Sequence, residues 1–387
     1  MSTFLGIGAG PIQTGIFVSG AAKGGYKRIV LADVDPEINA TVGASKMLTV
    51  NTVCGDSIIS ESYENIEIYN PTDPQGLIAL KNAATEATAV CTALPATSFY
   101  PHIAPWLREA FAAAPDETRY VYTAENSTTA AHELEMAVGH FSKTHYLDTV
   151  IGKMSKVFTT DECDLPPLAP HCGRGHLVEE YNDIYTSSVL GVSTVGIVGL
   201  IPKDNLEPFE AAKLYAHNTS HFLLGILAQN AGCRYIDQAS DHPEIISTVL
   251  SILLKECGVA LNRKYGAIEE FVTPRCFTPF ALKLVGRMVS PVLRDSVSRI
   301  VRDPQRKLGW NDRVIGAIRM CIEQNVAPTI LINMVADIWN NCFGSLTSSF
   351  EEGFSSHFKD ENPKESEVIK KLICSELLSK RTGLGGC

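Results

Sequence analysis

The sequence predicts an α/β chain in which an N-terminal doubly wound sheet is followed by a mainly α-helical C-terminal domain. Three observations predict it. The chain opens on an apolar strand, TFLGIGAGPIQTGIF, that runs through Gly6, Gly8 and Gly10 into a helix-like segment. Strand-like runs ending in polar residues follow at RIVLADVDPE, ATAVCTALP and RYVYTAEN. From Pro208 onward the periodicity is almost wholly helical, as in EIISTVLSILLKECGVAL and WNDRVIGAIRMCIEQN. At 387 residues the chain exceeds the size at which a single core stops growing. Two domains are therefore expected, 1–205 carrying the sheet and a linker, and 206–387 carrying the helices.

In the first domain, glycines at a strand-to-helix turn let the backbone approach a pyrophosphate, and the helix start offers unpaired N–H groups. This makes the sheet Rossmann-type and gives Gly8, Gly10, Pro11 and Ile12 to a dinucleotide, although Gln13 stands where the G-x-G-x-x-G pattern has glycine. The second strand ends at Asp33 and Asp35, 23 to 25 residues after Gly10. An acidic side chain there hydrogen-bonds the adenosine ribose and repels a 2′-phosphate, so NAD is expected over NADP. Asp33 is the better candidate, because Asp35 precedes Pro36 and suits a helix cap. Ligands of such sheets sit beyond the carboxyl ends of the strands, which adds Thr92, Ala93, Glu125 and Asn126. Asn126 also reads as an N-cap for the helix that follows. The proline-rich segment from Val150 to Leu206 reads as a linker that finishes the sheet with the strand-like SSVLGVSTVGIVGL. Cys163, His171, Cys172 and His176 fit no familiar zinc spacing, and no metal is expected.

In the second domain the chemistry concentrates in EAAKLYAHNTSH, a K-x4-N-x2-H run. At roughly 100° per residue, Lys213, His217, Glu210, His221 and Asn218 share an arc of about 140° on an otherwise apolar helix. Such a stripe supplies an amine, an amide donor and an imidazole, the parts needed to deprotonate an alcohol and steady its oxyanion. The plainer reading is a core helix whose histidines bond backbone carbonyls and whose lysine reaches water. Further on, RDPQRKLGWNDR gathers Arg302, Arg306, Lys307 and Arg313, with Arg275 and Arg287 upstream. That run suits a phosphate or carboxylate, or else is solvated surface charge.

Composition narrows the partners. A net charge of −10 argues against nucleic acid or an anionic membrane surface. No apolar run of 18 or more residues occurs, so no membrane span is expected. Eleven scattered cysteines without a C-x-x-C or a signal segment point to reduced thiols and a cytoplasmic protein. A small-molecule substrate and a monomer or weak oligomer are expected.

Taken together, GAGPIQTG, LADV, CTALP, HIAP, TAEN, DNLEPFEAAKLYAHNTSH and ALKLVGRMVSPVLRDSVSRIVRDPQRKLGWNDRVIG resemble the polyol-specific long-chain dehydrogenase family, and within it the enzymes for polyol phosphates. The resemblance implies NAD-dependent, metal-independent interconversion of a polyol phosphate and a ketose phosphate, of the mannitol 1-phosphate and fructose 6-phosphate type. It implies Lys213 as general base, Asn218 and Asn126 as oxyanion donors, His221 as a substrate ligand and Glu210 as the acid gating the proton path. Arg306 and Lys307 are the phosphate candidates. A dehydrogenase of a free polyol or sugar acid, a 6-phosphogluconate dehydrogenase-type enzyme, and a catalytically silent NAD-binding homologue are the alternatives.

Overall fold

The computed structural model describes residues 2–189, 196–343, 354, 358 and 361–383. The chain forms two compact units, Met1–Leu206 and Glu207–Cys387.

Unit 1 contains the strands β1 (Thr3–Ile7), β2 (Arg28–Ala32), β3 (Met47–Cys54), β4 (Ser57–Glu64), β5 (Ile66–Tyr69), β6 (Ala87–Thr92), β7 (Arg119–Thr123), β8 (Thr144–Ile151), β9 (Ser155–Thr159), β10 (Arg174–Glu179), β11 (Ile184–Ser187) and β12 (Leu200–Lys203). Its α-helices are α1 (Ser19–Lys23), α2 (Pro36–Ser45), α3 (Pro74–Glu86), α4 (Tyr100–Ala113) and α5 (Ala130–Val138). An eight-stranded sheet runs β12-β11-β8-β7-β6-β1-β2-β5. From β5 to β8 every pairing is parallel, and β11 then turns antiparallel to β8. This is the doubly wound order, with β1 at the point where the winding reverses. Successive residues of the central strands feed opposite cores. Phe4, Leu31, Cys91 and Tyr122 pack with Ile16 and Phe17 on one face, while Leu5, Val30, Val90 and Val121 pack with Leu80, Leu107 and Leu134 on the other. A strand covered on both faces must be apolar throughout, which is why these runs read as continuous rather than alternating.

The segment from Val150 to Leu206 does more than link domains. Its β9 and β10 join the β3–β4 hairpin in a second sheet, ordered β4-β3-β10-β9. That sheet packs on the helix after the glycine turn. Val178 of β10 sits where a Cβ on Gly15 would come within 2.5 Å of it, and Tyr63 donates to Ser19 at 2.8 Å. The expected strand SSVLGVSTVGIVGL falls partly on 190–195, outside the described residues, and the described strand starts only at Leu200.

Gln13 has a steric explanation in β1. Its side chain is fully buried beneath the turn, and a Cβ on Gly6 would lie 2.0 Å from its Nε2 and 2.7 Å from Leu31. The pattern's glycine usually lets helix and strand approach. Here the bare position is on the strand and the side chain on the helix. Gln13 Nε2 and Oε1 find no hydrogen-bond partner among the described residues.

Unit 2 is mainly helical: α6 (Glu207–Ala211), α7 (Thr219–Asn230), α8 (Pro243–Ser251), α9 (Gly258–Tyr265), α10 (Pro274–Met288), α11 (Val297–Val301), α12 (Pro304–Lys307), α13 (Arg313–Glu323), α14 (Thr329–Phe343) and α15 (Pro363–Gly383). Between α6 and α7 the chain winds as a π-helix over Ala212–Asn218. Two glycines bring helices against this region. A Cβ on Gly316 of α13 would lie 2.3 Å from the Tyr215 ring, and one on Gly225 of α7 would lie 2.5 Å from Ile300 of α11. Among the described residues no helix is long and apolar enough to cross a membrane.

Gly6→Ala should overpack the site above Gln13 and destabilise unit 1 by about 1–3 kcal/mol. The double variant with Gln13→Ala should recover most of the loss in thermal unfolding. An additive double variant would show that the two positions do not share this space.

Candidate active site

In unit 1 the glycine turn is tied to three strand ends. Gly8 donates to the Ala32 carbonyl at 2.8 Å and Ala93 donates to the Ile7 carbonyl at 2.9 Å. Gly8 has φ +88°, and a Cβ there would lie 2.6 Å from the Ala93 carbonyl oxygen, so only glycine fits. Gly10 is different, because a Cβ added to it would meet nothing within 4 Å. The turn is open on that side, as a cradle for a phosphate requires. Pro11 and Ile12 follow it into the helix, half-buried, and Thr14 donates back to the Gly10 carbonyl at 3.0 Å.

Asp33 braces this turn from β2. One carboxylate oxygen accepts from the Ala9 N–H at 2.6 Å and the other from the Asp35 N–H at 2.8 Å. A carboxylate has lone pairs beyond those two, so a ribose hydroxyl can still be accommodated. Asp35 caps α2, accepting from Glu37 at 2.9 Å and Ile38 at 3.1 Å with Pro36 at the first helical position.

Thr92 and Glu125 differ from the expectation that they face a ligand. Both are buried, and Glu125 accepts from Thr92 Oγ1 at 2.8 Å, from Tyr100 at 2.6 Å and from the Leu94 N–H at 2.8 Å. Their polar atoms fasten the carboxyl ends of β6 and β7 to each other. Desolvation and the adjacent Glu125 push the Tyr100 hydroxyl's pKa upward, so Tyr100 stays a neutral donor. Asn126, next in the chain, is exposed. It does not cap α5, whose N-cap position is Thr129, while Asp148 of β8 accepts from Ala131 at 2.9 Å in the first turn. His176 of the second sheet faces Thr14 at 2.8 Å rather than a cysteine, and burial lowers its pKa to about 4.

In unit 2 the K-x4-N-x2-H run differs from the expected α-helix. Lys213 to Asn218 is an i, i+5 pair, the hydrogen-bonding period of a π-helix, so the wider winding sets Asn218 one π turn after Lys213. Thr219 steadies the exit from this turn, donating to the Leu214 carbonyl five residues back at 3.2 Å and to the Arg313 carbonyl at 2.6 Å. A π turn is costly in an isolated helix, and here packing holds it in place.

The electrostatics distinguish one base. Burial and then the charge of Arg313 pull the Lys213 amine down to about 8, against the opposing charge of Glu210. Burial takes His221 to about 4, with Asp295 opposing and Arg299, Arg313 and Lys307 reinforcing. His217, its ring 6.4 Å from that of His221, is held well below the usual value by burial and then by His221 and Arg287. Both imidazoles are therefore neutral at pH 7 and can serve as hydrogen-bonding groups. Of Lys213, His217 and His221, Lys213 is the one whose charge changes near neutrality.

The two cations picked from the basic run part company. Arg306 is exposed and bonds Asp312 at 3.0 Å. Lys307 is buried, donates to the Ile300 carbonyl at 2.6 Å and lies 5.0 Å from the centre of the Phe222 ring. Its ammonium is committed to packing α12 on α7 and α11, which corrects its reading as a phosphate ligand. Arg313, which the sequence offered only as one charge among several, is the cation whose field reaches Lys213, His217 and His221. Its signal was its place at the start of a helix whose next turn presents Gly316 to Tyr215.

Residues 205–379 match the family described as the mannitol dehydrogenase C-terminal domain. The chain is similar to the mannitol-1-phosphate 5-dehydrogenase of Brevibacillus brevis, 26% identical over 337 residues that cover 84% of this chain and 82% of the relative. It is also similar to the enzyme of that name from Thermoanaerobacter pseudethanolicus, 24% identical over 97% of this chain and 92% of the relative. Among solved structures it shares its fold with a D-sorbitol dehydrogenase in substrate-free form, with TM-score 0.73 and 11% identity over 98% of this chain and 93% of that one. The same holds for the Pseudomonas fluorescens mannitol 2-dehydrogenase solved with NAD and D-mannitol, with TM-score 0.70 and 13% identity over 99% and 94%. Residues 205–379 thus carry a mannitol dehydrogenase C-terminal domain behind a doubly wound sheet, and along most of its length the chain resembles proteins named mannitol-1-phosphate 5-dehydrogenase.

Proposed function

We propose that this protein is an NAD-dependent oxidoreductase that interconverts a polyol phosphate and a ketose phosphate, of the mannitol 1-phosphate and fructose 6-phosphate type. The observation that carries the reading is Lys213, an amine near pKa 8 on a π turn that ends at Asn218. The similar proteins named mannitol-1-phosphate 5-dehydrogenase support the substrate class.

The residues of unit 1 fit the cofactor. Gly10 leaves room above the turn, Gly8 and Ala93 bring backbone close together, and Asp33 favours two free ribose hydroxyls over a 2′-phosphate. NAD, when bound, supplies the hydride acceptor. The chain's own residues handle the proton. Neutral Lys213 takes it from the reacting hydroxyl, and Asn218 donates to the oxygen as negative charge grows on it. Glu210, which lies on α6 beside the π turn and whose charge reaches Lys213, passes the proton onward. Neutral His221 holds a neighbouring hydroxyl. In the reverse direction protonated Lys213 returns the proton to the carbonyl oxygen. A role for Thr92 and Glu125 in cofactor binding is indirect, through the loop at Ala93 and Leu94 that they hold.

The substrate class is tested by turnover on mannitol 1-phosphate, mannitol and a hexuronate with NAD and with NADP. Efficient oxidation of the phosphate ester with NAD alone is expected. A preference for either unphosphorylated compound would overturn the phosphate reading, and binding of NADH without turnover on any of them would indicate a silent homologue. Lys213→Ala should reduce kcat by about 10²–10⁴-fold, the usual worth of a positioned acid or base, while NADH binding measured by fluorescence stays within about twofold. Retained turnover in that variant would remove Lys213 from its role.

A further inference from the structure

One carboxylate between α12 and α13 holds two arginines. Asp312 Oδ2 accepts from Arg306 Nη1 at 3.0 Å, and Oδ1 accepts from Arg313 Nε at 2.8 Å and from the Arg313 backbone N–H at 2.6 Å. Two guanidinium charges against one carboxylate leave a net positive cluster. Among the described residues, Arg313 Nη1 and Nη2 and Arg306 Nη2 and Nε form no hydrogen bond to protein. The two side chains are exposed to different degrees, 13% for Arg313 and 58% for Arg306, so one cation is recessed and the other stands at the rim. A guanidinium held through its Nε keeps its two Nη groups for an oxyanion, which they can bind in bidentate fashion.

The cluster is fastened to the catalytic run. The Thr219 hydroxyl bonds the Arg313 carbonyl at 2.6 Å, and Gly316, one turn along α13, leaves the space that the Tyr215 ring fills. Arg313 is thereby positioned against the helix that carries Lys213 and His221, and its charge contributes to the lowered pKa of both. Lys307, the other cation of the run, is already committed to the Ile300 carbonyl and the Phe222 ring.

We propose that Arg313, held from behind by Asp312 and assisted at the rim by Arg306, binds the phosphate of the substrate and is the residue that selects a sugar phosphate. A phosphate monoester carries about −1.5 to −2 charge near pH 7 and matches the two-arginine cluster, whereas a free sugar leaves it uncompensated. This assignment rests on the sugar-phosphate reading.

The test is NADH-dependent reduction of fructose 6-phosphate by the full chain, with inorganic phosphate as a competing anion. Reduction uses protonated Lys213, so removing a nearby positive charge should not starve it of its proton. Arg313→Met should raise KM for fructose 6-phosphate by about 10- to 100-fold, in keeping with loss of a charged hydrogen-bonding partner, with kcat within about threefold and with inhibition by inorganic phosphate lost. Arg313→Lys should restore part of the affinity and of the inhibition, and Arg306→Met should have a smaller effect on KM. NADH binding by each variant reports that it is folded. If wild-type protein reduces fructose 6-phosphate but both Arg313 variants keep its KM and the phosphate inhibition, the Arg313 assignment is overturned and the sugar-phosphate reading stands. If wild-type protein does not reduce fructose 6-phosphate, both fall together.

Discussion

The constraint on which the site depends is a desolvated lysine on a π turn. An amine taken out of water resists protonation, and an adjacent arginine adds to the effect. The same burial demands that the helix carrying it be packed on several sides. Gly316 admits Tyr215, Gly225 admits Ile300, and Thr219 joins the π turn to α13 through a backbone carbonyl. These contacts stabilise a winding that an isolated helix would not keep, and the winding fixes which side chain follows Lys213 by one turn. Packing in unit 2 and the desolvation of Lys213 are therefore one problem with one solution.

Unit 1 shows a parallel case. The helix after the glycine turn also begins with π winding, over Gln13–Val18, and there too a glycine on the neighbouring element makes room for a side chain. Gln13 occupies the space left by Gly6, and Gly15 takes Val178 of the second sheet. The turn itself is left to Gly8 and Gly10, with Asp33 bonding the Ala9 N–H from beneath. Exchange of bulk between helix and strand preserves the open turn although the usual glycine is missing.

Much of this was legible in the sequence because it follows from local rules. Continuous apolar runs mark strands covered on both faces, the glycine-rich turn marks the reversal of winding at β1, and Asp35 before Pro36 marks the cap of α2. The helical character of unit 2 was equally plain. What was not legible depended on partners distant in the chain. The second sheet is not legible in the sequence because β4, SIISESYE, is largely exposed and β9 is short, so neither shows a strong alternating pattern. A period of 100° per residue describes an α-helix, and sequence periodicity cannot reveal a π turn that packing imposes on the run from Lys213. Nor can composition tell a sealed ammonium from an open guanidinium. Lys307 and Arg313 are six residues apart in one basic run, yet the Ile300 carbonyl takes up the first and Asp312 orients the second. Thr92 and Glu125 were likewise placed correctly at strand ends, but their bonds to each other and to Tyr100 exist only in the fold.

The central claim is that the folded chain brings the Lys213 amine into the range where it can accept a proton from an alcohol near neutral pH. An NMR titration of lysine labelled at the ε-carbon, with the Lys213 resonance assigned by its loss in Lys213→Arg, measures this directly. The amine should titrate with a midpoint of about 8 and be mostly neutral above it. A midpoint at the ordinary lysine value of about 10.4 would contradict the account.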